Sequence, residues 1–133
     1  MSIFRFTIGF GVIAVLLFFA LVGKGCSCSP KWKAYQAAAR SDLRNLQTAE
    51  EAYFEAHSTF TDNAELLNYN TSTSVRMRVV EFSDSGFVAF TTHRGNDGRC
   101  AMYFGKVAYR PVVGNTVPQP GEPYCDMRLK GEN

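Results

Sequence analysis

Residues 31–56 read KWKAYQAAARSDLRNLQTAEEAYFEA, and this stretch decides the fold. It is rich in Ala, Leu, Glu, Gln and Arg, residues that lose little freedom in a helix. Trp32, Tyr35, Ala39, Leu43, Leu46, Glu50 and Tyr53 recur at three-and-four spacing. They form a stripe that only Glu50 interrupts. Ser29 and Pro30 just before it suit a helix start, one as cap and the other in the first turn. A helix with one apolar stripe needs a surface to pack on, and a sheet from the same chain is the simplest supply. Asp42, Arg44, Glu51 and Glu55 are expected on the remaining, solvated faces.

Downstream of this helix the period changes from helical to alternating. Val75, Met77 and Val79 alternate with Arg76 and Arg78, which predicts a strand over residues 75–82 with one wet face. Asp84, Ser85 and Gly86 supply a turn, and residues 87–92 make a second strand. Gly95-Asn96-Asp97-Gly98 is a hairpin signal leading into a third strand over residues 100–104. A short fourth strand is expected within residues 108–113, and residues 118–123 read as loop. Helix and antiparallel strands together predict an α+β domain over residues 26–133.

Upstream, residues 3–22 read IFRFTIGFGVIAVLLFFALV, with Arg5 as the sole charge. Twenty residues of helix rise about 30 Å, the thickness of a bilayer's hydrocarbon core. Residues 1–25 are therefore expected to be a single-pass transmembrane anchor, longer in its apolar run than a removable signal peptide. Gly9, Gly11 and Ala14 are small positions that permit close helix packing in the membrane. Gly25 before Cys26 marks Cys26 as a possible lipidation site, although Gly23 and Lys24 suit such a site poorly.

The chain has four cysteines, Cys26, Cys28, Cys100 and Cys125. Their spacing matches no zinc or haem pattern. Cys100 and Cys125 read either as a disulfide or as two buried thiols. A bridge would close a loop of about 25 residues, contribute about 3 kcal/mol and place the domain outside the cytoplasm. The count of basic residues flanking the apolar segment, Arg5 against Lys24, Lys31 and Lys33, favours the opposite orientation. The two signals conflict.

The run Lys33-Ala34-Tyr35, Ala38-Ala39-Arg40-Ser41-Asp42-Leu43-Arg44-Asn45-Leu46 and Ala49-Glu50-Glu51-Ala52-Tyr53-Phe54 resembles bacterial type IV pilins and pseudopilins, as does the helix exit His57-Ser58-Thr59-Phe60-Thr61. The resemblance implies one long N-terminal helix, transmembrane in its first half and amphipathic in its second. That second half would pack on a small antiparallel sheet, with a C-terminal disulfide loop following. On orientation the resemblance agrees with the cysteine pair and implies a C-terminal domain on the periplasmic side of a bacterial inner membrane. The start of the chain departs from the family. Phe6-Thr7-Ile8-Gly9-Phe10 echoes the family's mature N-terminus, but Arg5 stands where a cleavage-site Gly belongs. Phe10 stands where a Glu belongs, and residues 3–22 contain no carboxylate. These departures oppose processing and polymerisation.

Net charge is +2 and mean hydropathy is −0.12, with charges scattered through the chain. No basic stripe or motif points to nucleic acid. His57 and His93 lack spaced co-ligands, and Glu81, Asp84 and Asp97 follow turns, not a calcium-loop pattern. No nucleophile, phosphate-loop or dinucleotide motif is present. The expectation is a non-catalytic protein without cofactor or small-molecule substrate. Its partners would be the bilayer and other membrane subunits, in an accessory role in a larger membrane complex such as a respiratory or photosynthetic one. The alternative is a minor pilin or pseudopilin of a type IV pilus or type II secretion system.

Overall fold

The structure is a computed structural model and describes residues 31–95 and 98–126. Helix α1 (Lys31–His57) is followed by strands β1 (Val75–Phe82), β2 (Gly86–His93), β3 (Arg99–Gly105) and β4 (Tyr124–Asp126). The strands form one antiparallel sheet in the order β1-β2-β3-β4. Helix α1 lies on one face of it. This is the α+β arrangement of a helix on an antiparallel sheet that the change of period predicted.

The expected single long helix is corrected. Helix α1 begins, among the described residues, at Lys31, and its apolar stripe is flanked by Lys31, Lys33, Arg40, Asp42, Arg44, Glu51 and Glu55. A helix so charged cannot lie in hydrocarbon. No helix among the described residues is long and apolar enough to cross a membrane. The apolar residues 3–22, with Gly9, Gly11 and Ala14, lie outside the described residues, as do Cys26 and Cys28.

Ala39, Leu43 and Leu46 are buried on α1 and meet Phe87, Ala89 and Met102 of β2 and β3. Each residue lost from water here contributes on the order of 1–3 kcal/mol, and small Ala39 lets helix and sheet approach. At the C-terminal end of α1 the core becomes aromatic. Phe60 stacks on Phe54 at 4.7 Å and tilts against Phe87 at 5.3 Å. At the other end Tyr35 stacks on His93 at 3.8 Å, tying the first turns of α1 to the tip of β2. The helix stops where Ser58 takes φ 56° and its N–H donates to the Phe54 carbonyl at 2.8 Å, a left-handed C-terminal cap.

Residues 58–74 return along the helix, held by two buried carboxylates. The Asp42 carboxylate accepts the Ser72 N–H and the Ser72 hydroxyl, both at 2.8 Å. The Tyr69 hydroxyl donates to the Asp42 carbonyl at 2.9 Å. Burial and the neighbouring Asp42 charge hold the Tyr69 phenol well above its usual range. Asp42 is therefore buried, not solvated as its helical position suggested. Glu50 does the same for Thr61, whose N–H donates to Oε2 at 3.0 Å.

The fourth strand is not within residues 108–113. Pro111 has no N–H for a ladder, and the amides of Ala108 and Tyr109 are taken by the Glu81 carboxylate. By Gly121 and Glu122 the chain is beside α1, where Arg44 pairs with Glu122 at 3.5 Å, whereas residues 108–113 lie on the sheet face opposite α1. There Pro111 and Val113 are buried, as are Val88, Ala101 and Tyr103 of that face. The strand beside β3 is β4, with Cys125 directly opposite Cys100 and bonded to it as a disulfide.

A three-residue strand has too little ladder to hold itself, so the bridge should carry its attachment. Replacing Cys100 and Cys125 together by Ser should lower unfolding free energy by about 3 kcal/mol. The check is urea unfolding of wild type and variant, with reductant shifting the wild-type midpoint toward the variant's.

Candidate functional site

Residues 108–113 lie over part of the outer sheet face, from Glu81 at the end of β1 to Arg99 of β3. Over β1 and β2 a groove of about 730 Å³ remains open. Strand register dictates its lining. Val75, Met77 and Val79 face the helix side, so Arg76 and Arg78 face outward. Arg76 stands opposite Thr92, and Thr92 opposite Arg99, giving one cross-strand row. Arg78 stands opposite Phe90 in the next row. A bulge between Val79 and Glu81 then inserts Val80, which is 45% exposed at the groove's edge.

Arg99 is held in place: its guanidinium lies 5.3 Å from the Phe90 ring centroid and donates to the Val112 carbonyl at 3.2 Å. The side chains of Arg76 and Arg78 are exposed and make no hydrogen bond or ion pair among the described residues. The far wall is Tyr109, positioned because the Glu81 carboxylate accepts the N–H groups of Ala108 at 2.6 Å and Tyr109 at 2.9 Å. Glu81 is thereby committed to backbone donors. The groove combines an aromatic floor, two free guanidinium groups and a fixed third.

The residues singled out from sequence are dispersed. His57 is exposed, stacked on Tyr53 at 4.0 Å, with Nδ1 3.0 Å from the Tyr53 carbonyl. His93 accepts the Gly95 N–H at 3.0 Å and stacks on Tyr35 at the opposite end of α1. Asp84 accepts the Ser85 hydroxyl at 2.7 Å in the β1–β2 turn, and Asp97 lies outside the described residues. Among the described residues no three His, Cys, Asp or Glu side chains converge as metal ligands would. The Cys100–Cys125 pair holds β4 in the core and is buried. Sequence reading marked Arg76 and Arg78 as a wet strand face. It missed Phe90, Arg99 and Tyr109, which join them only through strand register and the path of residues 106–113.

Glu50 is fully buried, and its Oε1 has no hydrogen-bond partner among the described residues. Loss of solvation raises its pKa from 4.5 to about 7; the Thr61 N–H opposes the shift and the Asp62 charge adds to it.

Comparison with known proteins finds no family model and no curated protein that matches this chain.

The Glu50 shift fixes a sign for stability against pH. Between about pH 4.5 and 7 the folded chain retains a proton that the unfolded chain releases. Stability should therefore be full below this window, fall as pH rises through it by about 2–3 kcal/mol, and level off above it. In Glu50→Gln, which can still accept the Thr61 N–H, that decline should vanish. Urea midpoints at steps from pH 4 to 8 for both proteins, compared as a difference, read this directly.

Proposed function

We propose that this chain is a non-catalytic, membrane-anchored accessory subunit of a larger membrane complex. Its small disulfide-stapled domain docks a partner subunit through the outer-face groove. The observation that carries the reading is that groove: Arg76 and Arg78 stand uncompensated beside Phe90, Val80 and Tyr109. Exposed aromatic and Arg side chains on a concave surface are the composition of protein interfaces.

Two sequence features support the location. The apolar residues 3–22 suit a membrane tether, and the disulfide belongs in an oxidising compartment, such as the periplasmic side of a bacterial inner membrane. The resemblance of residues 33–54 to pilins fits a domain of related origin. With no carboxylate among residues 3–22, such a domain would brace a neighbour and not polymerise. The minor pilin or pseudopilin reading keeps the resemblance but needs a processed start.

Native purification from membranes separates the two. The accessory reading expects an intact Met1 by mass analysis and integral membrane subunits co-purifying in fixed ratio. That association should be lost in the double variant Arg76→Glu, Arg78→Glu while the domain's thermal unfolding is unchanged. A mature chain starting at a methylated phenylalanine would replace it with the pilin reading. Association indifferent to both arginines would remove the groove from the docking role.

A further inference from the structure

The groove does not end at the sheet face; it continues around the sheet's edge. Among the described residues strand β1 is an edge strand, paired with β2 alone. A second open space of about 830 Å³ lies on its helix side, bounded by Leu46, Leu67 and Tyr69 and sharing Met77, Arg78 and Val80 with the outer groove. Among the described residues open space thus borders β1 on both faces, on the helix side between β1 and residues 62–71, and an added strand would set its two rows of side chains there.

The backbone of β1 is set for such an addition. The Ser74 carbonyl accepts the Arg94 N–H at 3.0 Å, which starts the β1–β2 ladder. Alternation along an antiparallel ladder then turns the N–H and C=O groups of Arg76 and Arg78 toward β2, and those of Met77 and Val79 outward. Among the described residues Met77 and Val79 have no other backbone partner.

Side-chain chemistry states what the added strand must carry. Its residues on the outer face would lie beside Arg76 and Arg78, so that face should be acidic. Its residues on the helix side would enter the space lined by Leu67, Met77 and Val79 and also by Asp62, Asn70 and Thr71, so apolar side chains on that face would meet the aliphatic part of the lining. A second copy of β1 does not meet these terms, because self-pairing sets Arg76 and Arg78 among their own copies, and like charges opposed across strands are unfavourable. Edge arginines and a bulge also discourage indiscriminate pairing, which leaves a complementary charge pattern as the condition for entry. Glu81 lies past the bulge and keeps its charge while accepting the Ala108 and Tyr109 N–H groups, so the acidic residues of the added strand belong at the Arg76–Arg78 end and not beside Glu81.

Resting on the docking role proposed above, we infer that the partner's contact is an extended segment of alternating acidic and apolar residues that adds as a fifth strand to the free edge of β1. The probe is a capped synthetic peptide alternating Glu and Val, long enough to run beside all of β1, mixed with the full chain in detergent micelles. Saturable binding is expected, weakened about tenfold or more by Arg76→Glu with Arg78→Glu. A peptide alternating Lys and Val should not bind. Bound peptide should slow amide hydrogen exchange at Met77 and Val79 specifically. No binding of the Glu-Val peptide, or binding that leaves those two amides unprotected, overturns strand addition. Vesicles containing anionic phospholipid that bind the chain through the same arginines, with no protection at Met77 and Val79, overturn it in favour of a lipid headgroup site. If strand addition fails while native membrane subunits still co-purify through Arg76 and Arg78, the docking role stands without it.

Discussion

The structure depends on the contact between one helical stripe and two strands. Ala39, Leu43 and Leu46 have no polar group to satisfy and no alternative surface, so the sheet must present Phe87, Ala89 and Met102 where they fall. That demand fixes which face of β2 and β3 is inward. By alternation it then fixes which residues of β1 are outward, and Arg76 and Arg78 follow. The disulfide lies in the same core, where Cys100 and Cys125 close β4 onto β3 across from the helix. A slip of one residue in β2 would turn Phe87 and Ala89 to water and the arginine row inward.

Apolar packing alone does not place residues 58–74, which carry few side chains able to enter the core beyond Phe60 and Leu67. Two carboxylates do that work from the helix. Asp42 gives both oxygens to Ser72 and is well satisfied. Glu50 has one oxygen bound and the other without a partner, in a site with little solvation to offer. The contrast explains why burial raises the Glu50 pKa so far. A carboxylate with one donor regains less than it loses on leaving water. The loop's anchor near Phe60 is thereby the weaker of the two.

Legibility in the sequence followed the range of the interactions concerned. The helix over residues 31–56 and the first three strands were readable because period and turn chemistry are local properties of a few neighbouring residues. The fourth strand was misplaced because β4 owes its position to Cys125 facing Cys100, a partner 25 residues away. Residues 108–113, apolar enough to suggest a strand, were drawn onto the outer face by the Glu81 carboxylate. Asp42 read as solvated because its partners, Ser72 and Tyr69, follow about thirty residues later. The long-helix expectation came from a family resemblance, not from period. The described helix, charged on every side of its stripe, keeps only the amphipathic half of it.

The open groove is a consequence of how the covering segment is tethered. Residues 106–123 are pinned at one end by Glu81 and at the other by the Gly121 N–H, which donates to the Tyr103 carbonyl at 2.8 Å. Between these points Pro111 and Val113 are buried and Val112 accepts from Arg99 of β3, while the Arg76 end of β1 stays open. Apolar residues of β2 and β3 need that cover. The arginines of β1 do not, because water solvates them. The outer face is therefore covered over Val88, Ala101 and Tyr103 and left open over the arginines of β1 and over Phe90. The charged half, lined by Phe90 and Tyr109 as well as by guanidinium groups, is the part of the surface at which a partner with carboxylates gains contacts that water does not supply.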